Sequence, residues 1–224
     1  MRTAARLIFA LTAVFSITGM ICATISSIDA TQYQIAALGD GLDPAVFRSA
    51  YERVINVYSY FTVQSNLLVT LVSIALLINP QRASTVFRVA RLTSLGAILI
   101  TALVYNLVLL PLAPPHGFAL FFNVLLHMVV PLFAVLGWLA WGPRIPFQWN
   151  YIWLSLLFAV WWIGVALIRG AIIHWYNYPF IDVNKLGYGR VALNTAAIAV
   201  AYVLILMAVL GVDEKLSSRG ALHQ

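Results

Sequence analysis

The chain has 224 residues, of which 62% are hydrophobic and only 9% charged. Soluble domains carry about 25% charged residues, so this composition excludes a water-soluble enzyme or a nucleic-acid-binding module and points to an integral membrane protein. The formal charge of +6 comes from Lys and Arg residues lying mostly between apolar runs, which ties it to membrane topology.

The first apolar run, residues 7–28, meets the ~20-residue length needed to cross a bilayer. Arg2 and Arg6 precede it, as they would in a signal peptide. It exceeds the usual ~7–15-residue apolar core, and no small-x-small site follows closely, so we expect an uncleaved first helix. Cys22, within this run, is the only cysteine and no disulfide framework is possible within the chain. The segment 29–53 contains Asp43-Pro44, an N-cap and N1 pair that signals a helix start. Phe47, Tyr51, Val54 and Tyr58 follow at helical spacing. This helix is therefore expected to continue without a break into the second span, 54–78.

Four further runs follow, at 92–112, 118–141, 151–173 and 191–212. Short connections such as Asn79-Pro80, Pro114-Pro115-His116-Gly117 and Gly142-Pro143 join antiparallel neighbours. The loop 174–190 holds Trp175, Tyr176, Tyr178 and Tyr188, the composition of an interfacial aromatic belt. The expected fold is an all-α integral membrane protein, a bundle of six transmembrane helices forming a single domain over residues 1–224. The basic cluster from Arg82 to Arg91 favours cytoplasmic termini, with eight basic residues inside and five outside.

Polar residues inside these spans cluster at one depth. Thr62 lies roughly 12 Å below Val54 and His127 roughly 13–14 Å below Phe118, at ~1.5 Å per residue. Tyr58, Thr62, Ser65 and Asn66 share a face by helical spacing, as do Asn123, His127 and Pro131. Asn106 in the third span falls near the same level, and Arg169 lies near the outer end of the fifth. Singly, each has a structural reading. Thr62 could bond its own i−4 carbonyl. Ser65, Asn66, Asn106 and Asn123 could join helices or orient His127. Arg169 could snorkel, and Asp182 could be solvated or paired with Lys185. Together they offer a hydroxyl nucleophile in Thr62, a histidine base in His127, and support or oxyanion donors, for which Asn66, Ser65 and Asn123 are the candidates. Tyr58, Asn106, Arg169 and Asp182 are candidates for substrate binding.

Three blocks, "YFTVQSN" (residues 60–66), "NVLLHMVVP" (123–131) and "YPFID" (178–182), resemble the androgen-induced and androgen-dependent TFPI-regulating membrane proteins, in their bacterial branch. The vertebrate members of that family are threonine hydrolases of fatty acid esters of hydroxy fatty acids. The resemblance places their nucleophile on Thr62 and their essential histidine on His127. It implies a lipid ester drawn from the bilayer as substrate, no cofactor, no metal, and a bacterial inner-membrane location. Gln64-Ser65-Asn66 departs from the bulkier apolar residues of the vertebrate proteins, which leaves the exact substrate open. Two other readings stand beside this one. His116, His127, His174 and Asp182 could form a zinc site of a metal-dependent hydrolase, or the cavity could belong to a non-enzymatic lipid-binding protein or transporter.

Overall fold

A computed structural model describes residues 2–29 and 47–221. The expected helix start at Asp43-Pro44 lies outside these described residues. Six of the helices are long and apolar enough to cross a membrane, and no strand occurs among the described residues. The chain is an all-α, multipass integral membrane protein. We label its helices α1 (Arg2–Ile28), α2 (Ala50–Ser59), α3 (Phe61–Ile78), α4 (Thr85–Leu112), α5 (Gly117–Trp141), α6 (Trp149–Ile173) and α7 (Val183–Ala221), the last interrupted at Gly187. All but α2 have the length and apolar composition of spans, which puts the start of α1 and the end of α7 on one side, here called the terminal side.

Each span divides its surface between lipid and bundle. On α1, Leu7, Val14, Ile21 and Ile25 are more than half exposed, whereas Thr12 and Ser16 are buried. Lipid tails solvate the first set. The second set must find partners inside the protein, because the hydrocarbon core supplies no water. Ser16 Oγ accordingly donates to the Asn66 carbonyl at 3.0 Å, and Thr70 Oγ1 lies 2.8 Å from Ser16 Oγ, binding α1 to α3. Gly19 lets α1 approach α5 closely: a Cβ there would sit 2.7 Å from Leu126 Cδ2.

The expected unbroken helix through residues 47–78 is not what forms. Ser49 caps α2 in a reciprocal box with Glu52, the Ser49 N–H donating to the Glu52 carboxylate at 2.8 Å. α2 then ends at Ser59, Tyr60 is extended (φ −70°, ψ 140°), and α3 starts afresh at Phe61. Neither Gly nor Pro marks this break; tertiary partners hold it open. Trp162 Nε1 donates to the Ser59 carbonyl at 3.0 Å, Asn177 Nδ2 to Ser59 Oγ at 2.7 Å, and the Arg169 guanidinium to Asn56 Oδ1 at 2.8 Å. Buried Arg53 fixes the other end of α2. It donates to the Ser27 and Ile28 carbonyls at 2.8 and 2.6 Å, where its charge also suits the negative end of the α1 dipole.

On the terminal side the bundle is tied by Asp213, which is fully buried in α7. Its carboxylate accepts from Trp138 Nε1 at 2.9 Å, from Arg144 Nη1 at 3.1 Å and from the Ile145 N–H at 3.0 Å. Arg144 also donates to the Trp138 and Leu139 carbonyls at the end of α5, and the Arg91 guanidinium bonds the Pro143 carbonyl. Removing one partner of a buried ion pair typically costs about 3–5 kcal/mol. Asp213→Ala, which strands three donors, should therefore lower the thermal unfolding midpoint in detergent strongly, and Asp213→Asn should lower it less. An unchanged midpoint for Asp213→Ala would remove this carboxylate from the account of the fold.

Candidate active site

The site is built where two spans depart from α-helical geometry. α4 contains a π turn at Tyr105–Leu109, and α5 contains one at Leu125–Val129. Such turns are rare and concentrate at functional sites. Pro131, just beyond the second, has no N–H. It can serve neither its α-helical partner, the His127 carbonyl, nor its π-helical partner, the Leu126 carbonyl. Two asparagines supply donors instead. Asn106 Nδ2 reaches the His127 carbonyl at 3.4 Å, and Asn66 Nδ2 reaches the Leu126 carbonyl at 3.2 Å. Side chains from α4 and α3 thus hold the backbone that carries His127.

The histidine ring is oriented from two sides. Nδ1 lies 3.0 Å from the Asn123 carbonyl. A carbonyl can only accept, so Nδ1 carries the proton and Nε2 has a free lone pair. The ring also stacks on Tyr105, with centroids 3.6 Å apart and planes 15° from parallel. Nε2 faces Thr62 Oγ1 at 3.1 Å, and both residues are buried. Given this tautomer, the Thr62 hydroxyl donates to His127.

Thr62 is the second residue of α3, which has no side-chain cap at Tyr60. Its backbone N–H therefore lies among the unsatisfied donors of a helix N-terminus. It meets the Tyr178 hydroxyl at 3.3 Å, and that hydroxyl lies 3.3 Å from Thr62 Oγ1. Because Thr62 gives its proton to His127, Tyr178 donates to Thr62 Oγ1. The donors then run in one direction: Thr62 N–H to Tyr178 O–H, to Thr62 Oγ1–H, to His127 Nε2, with Nδ1–H closing on Asn123. Burial pushes the Tyr178 hydroxyl up to about 12, so it keeps its proton at neutral pH. The ring packs edge-on against Tyr60 and parallel to Phe180.

Two cavities open onto this centre, one of about 140 Å³ and one of about 90 Å³. The remaining residues singled out in the sequence take other places. Ser65 Oγ donates to the Thr62 carbonyl at 2.9 Å and lies 3.0 Å from Thr101 Oγ1. Asn66 Nδ2 bonds the Thr62 carbonyl at 2.8 Å as well as that of Leu126, so both its N–H groups are committed and it is not placed as an oxyanion donor. The Asn123 side chain turns back to the Ala119 carbonyl at 2.8 Å, and it is its backbone that holds His127. Asn106 also donates to its own i−4 carbonyl, Ala102. The break at Tyr60 takes Tyr58 off the Thr62 face, and the Tyr58 hydroxyl lies 3.2 Å from Thr24 Oγ1. Arg169 lines neither cavity; besides Asn56 it faces the rings of Phe47 and Trp175 at 5.4 and 5.8 Å. Asp182 caps the start of α7, accepting from the Asn184 N–H at 3.0 Å. His116 and His174 are exposed helix caps. Among the described residues no three His, Cys, Asp or Glu side chains gather as a metal site, so the zinc set does not assemble.

Two site residues escaped the sequence reading. Tyr178 belongs to a segment read as an interfacial belt, yet it folds back among α3 and α6 and is buried. Tyr105 adjoins Asn106 but carries no polar signal of its own. Comparison of the chain with protein-family models, with characterised proteins and with solved structures returned no match.

Proposed function

We propose that the protein is an intramembrane threonine hydrolase that cleaves lipid esters without a metal or cofactor. One observation carries the reading: a threonine hydroxyl 3.1 Å from a histidine nitrogen whose tautomer is set by the bond on its other side. A hydroxyl is a weak nucleophile until a base takes its proton, and histidine is the usual base near neutral pH. Thr62 Oγ attacks the ester carbonyl as Nε2 removes its proton. The carbonyl oxygen becomes an oxyanion between the Thr62 N–H and the Tyr178 O–H, at the positive end of the α3 dipole. His127 then protonates the leaving alkoxide, and water, activated by the same nitrogen, releases the acid. The resemblance of the three sequence blocks supports fatty acid esters of hydroxy fatty acids, or similar lipids, as substrates. The mainly apolar cavities suit such a lipid. A lipid carrier or transporter would use the cavities but would have no need of the oriented Thr–His pair.

Purified protein should react with a fluorophosphonate at Thr62. Thr62→Ala and His127→Ala should abolish labelling and ester hydrolysis, since losing one member of such a pair costs several orders of magnitude in rate. Thr62→Ser should keep part of the activity. Tyr178→Phe keeps the ring and removes the donor, and should lower kcat about 10²–10³-fold. Near-normal hydrolysis by Thr62→Ala would refute the assignment and move attention to Ser65.

We also propose that both termini are cytoplasmic and that the Tyr178 loop faces outward, in a bacterial inner membrane. The basic residues Arg82, Arg88 and Arg91 on the terminal side support this. A cysteine at Lys185 should react with an impermeant thiol reagent in intact cells, and one at Ser84 should not. The opposite pattern would invert the topology.

A further inference from the structure

The two cavities differ in which site residues they touch. Both are lined by Thr62, Leu109 and Tyr178, so they meet at the nucleophile. The larger is bounded by α3, α4, α6 and α7, with walls that include Ile100, Leu156, Ala159, Val160 and Ile198. Its α6 wall reaches the lipid-facing surface at Val160, which is 61% exposed. The smaller lies towards α1 and α5 and is lined by Ala23, Ser26, Phe122 and Asn123. His127 lines the smaller cavity and not the larger. Ser26 is buried there, and its hydroxyl has no hydrogen-bond partner among the described residues.

From this asymmetry we infer that the site binds its ester in one direction, with the acyl arm in the larger cavity and the alcohol arm in the smaller. The inference rests on the hydrolase reading above. Attack forms the bond between Thr62 Oγ and the carbonyl carbon and sends the hydroxyl proton to Nε2. Collapse breaks the bond to the alkoxy oxygen, and the same proton must travel from Nε2 to that oxygen. A proton donor has to lie within about 3 Å of the atom it serves. The alkoxy oxygen therefore sits on the His127 side, and the chain attached to it continues into the cavity that His127 lines. The acyl chain leaves the carbonyl carbon the other way, past Phe61 and Ile100. The alcohol then departs, and a water molecule takes its place beside Nε2. Nε2 removes a proton from that water as its oxygen bonds the acyl carbon, Thr62 Oγ leaves and regains a proton, and the carboxylic acid is freed in the larger cavity. Ser26 gives the alcohol arm a hydroxyl partner. The substrate class is thus an ester with two apolar arms, of which the alcohol arm carries a polar atom.

Two series of esters test the direction, one varying only the acyl chain length and one only the alcohol. Ala159→Leu, with Ile198→Phe as a second variant, narrows the larger cavity. Each should lower the long-to-short ratio of kcat/KM in the acyl series about tenfold or more, the scale of apolar pocket discrimination, and leave that ratio in the alcohol series unchanged. Ala23→Leu and Ser26→Leu should do the reverse. Long-chain fluorophosphonates, whose chain stands for the acyl arm, should label Thr62 more slowly in Ala159→Leu than in Ala23→Leu. If narrowing the larger cavity instead shifts the alcohol series, the direction is overturned while the hydrolase stands. If the wild type hydrolyses neither series and Thr62 takes no label, the hydrolase reading fails first and the direction with it.

Discussion

Inside a bilayer a backbone carbonyl must find its donor within the protein, and this constraint shapes the centre of the bundle. Pro131 deprives the α5 backbone of one N–H directly below His127. Asn66 and Asn106 reach across from neighbouring spans to replace it. Their bonds fix the π turn, the π turn fixes the ring, and the Asn123 carbonyl fixes its tautomer. Most of the polar side chains that look extravagant in an apolar span bond a carbonyl of their own helix: Ser65 and Asn66 that of Thr62, Asn106 that of Ala102 and Asn123 that of Ala119. Asn66 and Asn106 add this support. Thr62 is the exception: its hydroxyl faces a histidine instead of bonding the carbonyl of its own helix.

The same logic explains the break at Tyr60. An unbroken helix would bury the Thr62 N–H in a hydrogen bond to the carbonyl at position 58. The break restarts the helix at Phe61 and leaves the Thr62 N–H pointing at Tyr178. The break frees backbone carbonyls at the end of α2, and Trp162 satisfies that of Ser59, while Asn177 and Arg169 anchor the Ser59 and Asn56 side chains beside it. The aromatic loop after α6 thus does two things: its Asn177 holds the break, and its Tyr178 meets the N–H that the break exposes.

Much of this was legible in the sequence, for physical reasons that also mark its limits. The six spans follow from hydropathy, since a run of apolar residues has few other stable homes. Thr62 and His127 could be paired by depth and chemistry, although the depth of Thr62 was counted along a helix that in fact breaks two residues before it. His127 and Pro131 could be placed on one helix face, but the π turn that precedes the proline was not expected. Which carbonyls the proline orphans, and which side chains answer them, depends on neighbours about 20 and 60 residues away in the chain. Asn66 therefore read as an oxyanion donor when its N–H groups are already committed. The place of Tyr178 beside Thr62 was not legible, because an aromatic loop at a membrane surface and one folded into the bundle have the same composition. Asp182 and Arg169 were singled out for their charge, yet one caps a helix and the other bonds Asn56 and packs against aromatic rings.

The central claim is that the Thr62 oxygen becomes covalently acylated during turnover. Rapid acid quench of the protein with a lipid ester, followed by peptide mass mapping, measures this directly. The account predicts a burst of alcohol release matched by an acyl group on Thr62, absent in His127→Ala. Turnover that proceeds with no acyl adduct, or with the adduct on Ser65, would contradict it.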